Sequence, residues 1–228
     1  MNPKRKVEII AYHGWGMTAD FWDEWDHLFD NHVIFKKNDR GYFHKPVNEH
    51  FSDPESIKVV FVQGFGIHMV SKRDWQLAHF IVLFSTFRHL KDIIAIGKNP
   101  DHVISTLQKQ IKDRPEYTLD LFWDELFSAD KDFRNGENYR INNEQLLVDD
   151  LDVYHDDIVT KPEIRKTAKV ILLETETENI TNYPQHITMK ELFGRLDLYK
   201  RFELIGHGFP FYNADVCYKY LSEHVKIF

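Results

Sequence analysis

The sequence predicts an α/β fold in which a mostly parallel β-sheet has helices on both faces and carries a helical insertion. Apolar runs that are hydrophobic throughout alternate with segments whose apolar residues recur at helical spacing, the pattern of parallel strands buried between helices. Residues 98–166 interrupt this alternation with charged, helix-like sequence. A stretch of that length without structure is uncommon in a compact domain. We therefore predict a helical lid at 98–166 and a core formed by residues 1–97 and 167–228.

The individual elements follow the same pattern along the chain. Residues 7–14, VEIIAYHG, indicate a first strand, and residues 19–29, ADFWDEWDHLF, indicate a helix with aromatic residues at helical spacing. The third strand ends at Gln63, and a helix opens directly after it. The other predicted strands cover residues 32–41, 79–87, 169–176 and 199–208, and the last helix covers residues 213–228.

Composition excludes several classes of protein. With 228 residues, of which 43% are hydrophobic, the chain can bury one sizeable core. The net charge of -7 argues against nucleic-acid binding, which needs a concentrated basic surface. No apolar run approaches the roughly 18 residues of a membrane span, and the single cysteine, Cys217, allows no disulfide framework. We expect a cytoplasmic protein.

The 13 histidines raise the question of a metal site. His-x3-His on one helix face, HExxH and Cys/His pairs are the spacings that bring ligands together, and the sequence has none of them. We expect neither a metal nor another cofactor.

The first stretch with chemical potential is HGWGMTADFW, which begins at His13 after the first strand. Gly14 and Gly16 flank Trp15, so the backbone can approach a ligand closely and aim amide groups at it, as in an oxyanion hole. His13 and the two glycines are therefore candidate substrate-binding residues. The alternative is an ordinary glycine-rich connection whose tryptophan packs against the core.

The second stretch is VVFVQGFGIHMV, in which a strand runs into a glycine turn and a helix. This is the setting of a nucleophile elbow, and the G-x-S-x-G template falls on residues 62–66. Val62 then replaces the first glycine, and Gly64 occupies the nucleophile position. A shifted frame puts Gly66 at that position instead. Neither frame contains a serine.

Two further stretches offer acid–base groups. LIGHGFPFY places His207 between glycines after an apolar strand, where it can act as a general base, although a structural histidine is the alternative. ILLETETENIT ends a strand in Glu174, Glu176 and Glu178, one of which could orient the histidine. The alternative for each glutamate is a solvated acidic loop.

In chain order, these four stretches resemble the α/β-hydrolase superfamily, and within it the pimeloyl-[acyl carrier protein] methyl ester esterases of biotin synthesis. HGWGMTADFW is similar to the oxyanion loop of those esterases, and GHGFPFYNADVCYKYL is similar to their histidine loop and last helix. NDRGY, residues 38–42, stands where the superfamily often has an Asp-x-x-Gly turn. The resemblance covers residues 7–87 and 169–228.

The resemblance implies a Ser-His-acid mechanism through an acyl-enzyme. Position 64 would hold the nucleophile, His207 would be the general base, and the amides of Trp15 and Phe65 would form the oxyanion hole. The acid would be Glu178, with Glu176 as the second choice, although the family usually has aspartate there.

Gly64 departs from the family at its nucleophile. Ser71 and Ser85 lie too far along the chain to replace it. Either a serine at position 64 has been replaced, or the natural protein has glycine and has lost or changed its chemistry; the fold tolerates both. The competing function is a catalytically silent α/β-hydrolase that binds a ligand or protein.

The resemblance also implies roles for the lid. An acyl chain carried on an acidic acyl carrier protein would need an apolar groove and a basic approach surface. Phe122, Trp123 and Phe127 could line the groove, or they could form the packing face of the lid itself. The basic candidates are Lys109, Lys112 and Arg114, with acidic residues 149–157 opposing them.

Overall fold

The computed structural model describes residues 5–89, 98–127, 139–156, 158–176, 185–203 and 206–228. The described part contains one β-sheet. Its strands are β1 (Val7–Tyr12), β2 (Val33–Lys37), β3 (Ile57–Gln63), β4 (Phe80–Phe84), β5 (Lys169–Thr175) and β6 (Leu198–Phe202).

The spatial order of the strands is β2-β1-β3-β4-β5-β6, and every neighbouring pair is parallel. The predicted parallel α/β sheet is confirmed. Along the chain the sheet grows first to one side of β1 and then to the other. The carboxyl ends of β1 and β3 therefore flank the point where the order reverses, which is where open α/β sheets form their ligand crevice.

Helices cover both faces of the sheet, as predicted. On one face lie a 3₁₀ helix, Ala19–Leu28, and the last helix, α7 (Ala214–His224). The other face packs against α1 (Lys72–Leu77) and α5 (Gln185–Phe193). The 3₁₀ helix buries Phe21, Trp22 and Trp25, three of the aromatic residues whose spacing predicted it.

One difference concerns the segment after β3, where the sequence predicted a single helix. The structure has a short 3₁₀ helix, Gly64–His68, and then starts α1 afresh. Ser71 causes the restart because its hydroxyl accepts a hydrogen bond from the amide of Asp74 at 3.0 Å and so caps a new helix. The elbow is therefore a compact turn of its own.

The described part of the predicted lid is mainly helical. It contains α2 (Pro100–Asp113), α3 (Pro115–Leu126) and α4 (Glu144–Asp156), which we call the insertion helices. Their apolar residues share a cluster with Trp15 and Phe65, which belong to the loops at the carboxyl edge of the sheet. The exact limits of the lid, 98 and 166, stay a prediction.

A four-residue helix, α6 (Phe209–Tyr212), precedes α7. Within the described residues, no helix has both the length and the apolar character needed to cross a membrane.

Candidate active site

The loop after β1 is held from inside by His13, which is fully buried. Its Nε2 accepts a hydrogen bond from the amide of Arg40 at 3.1 Å, so the ring proton lies on Nδ1, which donates to the carbonyl of Gly14 at 2.7 Å. Burial lowers the pKa of His13, and the ring is neutral. Both ring nitrogens bind the backbone. The structure thus shows His13 supporting the loop from inside, and its role in substrate binding stays a prediction.

The elbow after β3 has its special backbone conformation at Gly64, with φ +51°. The place that a Cβ atom on this residue would take lies 3.3 Å from Nε2 of His207 and 3.9 Å from the ring of Phe87. Strained positive φ is the conformation in which a nucleophile elbow holds its nucleophile.

Gly66 has a different reason to be glycine. Its φ is outside the left-handed region, and a Cβ there would stand 2.7 Å from the carbonyl oxygen of Tyr12 and 2.8 Å from that of His13. The elbow thus packs backbone to backbone against the end of β1. The left-handed residue is at position 64, as the first of the two sequence frames requires.

His207 lies on the loop that leads into α6 and is only 3% exposed. Its ring lies 5.9 Å from that of Phe87, centroid to centroid. The next residue is anchored to α3, because the amide of Gly208 donates to the carbonyl of Leu126 at 2.9 Å. A Cβ on Gly208 would lie 2.5 Å from the ring of Phe127, so glycine permits this approach.

The acid, like the other catalytic roles, stays a prediction. Glu178 lies in 177–184, outside the described residues. Glu176, at the end of β5, has an exposed side chain, and its amide donates to the carbonyl of Phe202 at 2.9 Å. Glu174 is buried, and its carboxylate accepts from the hydroxyl of Tyr199 and lies 3.2 Å from Nδ1 of His186.

The loop after β1 also rests on α3. The indole Nε1 of Trp123 donates to the carbonyl of Gly16 at 2.9 Å, and the ring of Phe122 meets that of Trp15 edge-on at 4.9 Å. Gly16 has φ +67°, and a Cβ there would lie 3.2 Å from Leu119. Phe122 and Trp123 are thus used in packing the insertion against the loop. One helix, α3, supports both the glycine-rich loop and the histidine loop.

The structure adds Gln63, which sequence reasoning used only to mark the end of a strand. This side chain is 1% exposed, and its Oε1 has no hydrogen-bond partner in the described part of the chain. It lies against Gly14, where a Cβ would come within 2.3 Å of Oε1. A polar residue that ends an otherwise apolar buried strand was the available signal.

A second addition joins the core to α4. Asp150, 2% exposed, accepts from Nε and Nη2 of Arg40 at 2.8 and 2.6 Å and from the hydroxyl of Tyr42 at 2.6 Å. These hydrogen bonds raise the pKa of Arg40, and burial raises that of Tyr42. Arg40 and Asp150 also border a cavity of about 240 Å³. Because Arg40 and Asp150 lie far apart in the sequence, no local sequence pattern predicted their contact.

Ser71 and Ser85 are the two serines that the sequence excluded as replacements for the nucleophile. The Ser71 hydroxyl donates to Asp74 at 2.6 Å at the start of α1. Ser85 follows β4 with φ +42° and is fully buried. Within the described residues, no group of three or more His, Cys, Asp or Glu side chains is placed to hold a metal ion.

No family model and no curated protein matches this sequence. Solved structures do match its fold. An esterase from Exiguobacterium antarcticum has a TM-score of 0.74 at 14% identity, with 98% of this chain and 93% of that chain covered. A thermophilic esterase from Thermogutta terrifontis has a TM-score of 0.69 at 10% identity, with 98% and 91% covered.

An enol-lactonase from Burkholderia xenovorans LB400 has a TM-score of 0.66 at 13% identity, with 98% of this chain and 92% of that chain covered. At such identities the similarity concerns the fold. Together with the six parallel strands and the helices on both faces, it shows that the chain has the α/β-hydrolase fold.

Proposed function

We propose that the protein is a carboxylic-ester hydrolase whose active site lies between Gly64, His207 and the loop after β1. One observation carries the proposal: the Cβ position of residue 64 lies 3.3 Å from Nε2 of His207. A serine hydroxyl on that carbon would be within hydrogen-bonding reach of the imidazole, as nucleophile and base must be. The compared structures, two esterases and an enol-lactonase, support ester chemistry.

The other groups take the roles that this chemistry requires. The amides of Trp15 and Phe65 stabilise the oxyanion that forms when the ester carbonyl is attacked. Glu178 orients His207 and stabilises its protonated form. With serine at position 64, the hydroxyl would attack the acyl carbon, His207 would pass the proton to the leaving alcohol, and water would release the acid.

For the substrate, we propose a carrier-bound acyl methyl ester such as the pimeloyl ester. The sequence resemblance of the glycine-rich and histidine loops supports this choice. So do the exposed side chains of Lys109, Lys112 and Arg114, which present positive charge on the insertion to an acidic carrier protein.

The test of the reaction class is Gly64→Ser with Gly64→Ala as its matched control, assayed with p-nitrophenyl acetate. Both variants require the imidazole to move by a few tenths of an ångström, but only serine supplies a nucleophile. We expect serine to exceed alanine in kcat by a factor on the order of 10² or more. Adding His207→Ala should remove the gain. A serine variant no faster than the alanine variant would contradict ester hydrolysis and favour a silent binding protein.

The test of the substrate is separate. Gly64→Ser should restore growth without biotin to cells that lack their own pimeloyl ester esterase. Reversing the charges of Lys109, Lys112 and Arg114 should raise KM for the carrier-bound ester and leave KM for p-nitrophenyl acetate unchanged. Equal effects on both substrates would refute a carrier-binding role for this surface.

A further inference from the structure

One helix of the insertion, α4, touches both residues whose amides we assign to the oxyanion hole. The backbone carbonyl of Leu147 accepts a hydrogen bond from the indole Nε1 of Trp15 at 2.9 Å. Tyr154 stacks on Phe65, with 4.2 Å between the ring centroids and 5° between the ring planes. Leu147 and Tyr154 are separated by two turns of α4, so they lie on one face of the helix. That face therefore contacts both halves of the proposed hole.

The ring of Phe65 is held by a second aromatic contact. It meets the ring of Phe87 edge-on, with 4.3 Å between the centroids and 89° between the planes. Phe65, Phe87 and Tyr154 are all buried. In a close-packed interior a shift of one ring is transmitted to its neighbours. Because Phe65 directly follows Gly64, a shift of its ring would also turn the N–H group that belongs to the proposed hole.

Tyr154 is fixed in turn by polar groups. Its hydroxyl lies 3.4 Å from that of Tyr42, which donates to Asp150 at 2.6 Å and therefore accepts from Tyr154. Asp150 precedes Tyr154 by one turn of α4 and also accepts from the guanidinium of Arg40. The backbone amide of Arg40 donates to His13 in the loop after β1. This network therefore joins Tyr154 to the same loop that carries Trp15.

We propose that α4 sets the positions of the two oxyanion-hole amides, with Tyr154 as the positioning residue for the amide of Phe65. This inference rests on the ester hydrolase function proposed above. An oxyanion hole is effective when its donors already point at the place where charge develops, since they then need no reorganisation during the reaction. Contacts from a single helix to Trp15 and Phe65 keep the spacing of the two donors constant.

The proposal predicts which kinetic parameter depends on Tyr154. Donors aimed at a developing oxyanion stabilise the transition state more than the bound substrate, so their misplacement lowers kcat and leaves KM nearly unchanged. A displacement of about 1 Å can cost on the order of 10²-fold in rate. If Tyr154 only packed the insertion, its loss would lower stability without a selective effect on the kcat of the folded molecules.

The experiment compares Tyr154→Leu, which removes the ring, with Tyr154→Phe, which keeps the ring and removes the hydroxyl, both in the Gly64→Ser protein. With p-nitrophenyl acetate, we expect Tyr154→Leu to lower kcat by about tenfold or more and to change KM by less than about twofold. Tyr154→Phe should keep most of the rate. A trifluoromethyl ketone, whose adduct with serine carries an oxyanion, should lose affinity for Tyr154→Leu by the same factor as kcat falls.

Ile111→Ala is the matched control for lost packing. Ile111 of α2 is fully buried and belongs to the same apolar cluster as Tyr154, so its truncation should also lower stability. The kcat of Ile111→Ala should stay within about twofold of that of Gly64→Ser. An equal loss of kcat in this control would overturn the inference. So would a Tyr154→Leu protein that keeps its kcat or that loses rate only through a higher KM.

Hydrogen exchange tests the positioning without any activity. In the Gly64 protein, the amide proton of Phe65 should exchange with solvent about tenfold faster, or more, in Tyr154→Leu than in the parent. Tyr154→Phe and Ile111→Ala should exchange at the rate of the parent. An unchanged rate in Tyr154→Leu would overturn the inference. Faster exchange together with an inactive Gly64→Ser protein would refute the hydrolase function and leave Tyr154 as the residue that positions this amide.

Discussion

The indole Nε1 of Trp15 donates a hydrogen bond at 2.9 Å to the backbone carbonyl of Leu147 in α4. A second indole, that of Trp123 in α3, donates at 2.9 Å to the carbonyl of Gly16, the next residue of the same loop. The loop thus donates a hydrogen bond to α4 and accepts one from α3. We infer that the loop and the insertion helices keep their relative positions as a unit, which an oxyanion hole requires.

Trp123→Phe tests that coupling. The change removes the N–H group but keeps an aromatic ring, so the loss of the hydrogen bond to Gly16 should lower stability by about 1 kcal/mol. In the Gly64→Ser protein, kcat should fall about tenfold because a looser loop presents its amide less well. Trp22→Phe is the matched control, since Nε1 of Trp22 has no partner in the described residues. A drop in kcat of the same size in the control would contradict the coupling.

The contact between Arg40 and Asp150 should be asymmetric in its energetics. The Arg40 side chain is 40% exposed, whereas that of Asp150 is 2% exposed. Arg40→Met leaves a buried carboxylate without its cation and should cost roughly 3 kcal/mol in the free energy of unfolding. Asp150→Asn leaves a cation that water can reach and should cost less. Urea unfolding of the two single variants and the double variant measures both effects, and the reverse ranking would refute this account.

Glu8 should make the fold acid-sensitive. Burial alone would raise its pKa, but hydrogen bonds from Ser52, Lys36 and Asp53 outweigh burial and lower the pKa from 4.5 to about 2. A carboxylate with a lowered pKa stabilises the fold fully above its unfolded pKa and loses that contribution as pH falls from 4.5 toward 2. A shift of this size corresponds to roughly 3 kcal/mol.

Glu8→Gln should therefore destabilise the protein most at neutral pH, and the difference from the parent should narrow between pH 4.5 and pH 2. Thermal unfolding across this range measures it. Glu163→Gln, at an exposed carboxylate, should leave stability almost unchanged at every one of these pH values. A gap for Glu8→Gln that does not depend on pH would show that its ionisation is not the cause.

Cys217 should be chemically silent in the folded protein. It is fully buried in α7, and burial raises the pKa of its thiol well above the usual value. Because the thiolate is the reactive form, a disulfide reagent such as DTNB should titrate no thiol in native protein and one per chain in urea. Reaction at native conditions on the timescale of mixing would contradict the described packing of α7.

The two elbow glycines should differ in their tolerance of alanine. At Gly64, alanine meets a positive φ and one close imidazole nitrogen, which should cost about 1–2 kcal/mol. At Gly66, alanine meets two backbone carbonyl oxygens that side-chain rotation cannot relieve, which should cost about 3 kcal/mol or more. Denaturant midpoints of the two variants provide the comparison, and equal midpoints would contradict the close approach of the elbow to β1.

Much of the fold can be predicted from the local pattern of apolar residues. The nearly continuous apolar runs correspond to the central strands β1, β3, β4 and β5, because strands buried on both faces need apolar residues at almost every position. The edge strands β2 and β6 are partly exposed and contain lysine or arginine. The ends are less well predicted: the run at 79–87 ends as a strand at Phe84, since Ser85 takes φ +42° and leaves the sheet. Hydrophobicity does not report such a change of backbone direction.

The candidate site likewise has parts that the sequence predicts and parts that it does not. Gly64 could be singled out because its glycine turn follows β3 directly, and His207 because glycines flank it on the loop before α6; their catalytic roles stay predictions. Phe65 stacks on Tyr154 with 4.2 Å between the ring centroids. No local sequence pattern around either residue predicts this contact. The acid role of Glu178 stays a prediction.

The position of the insertion between two central strands has a consequence for how the chain folds. Phe84 of β4 lies beside Leu173 of β5, so this pairing forms only after the whole intervening segment has been brought together at its ends. Closing so long a loop costs conformational entropy before any strand contact repays it, and contacts of high sequence separation slow folding. We therefore expect the edge of β4 to stay open until late in folding, and the nascent chain to be most prone to aggregation before residue 175 is made.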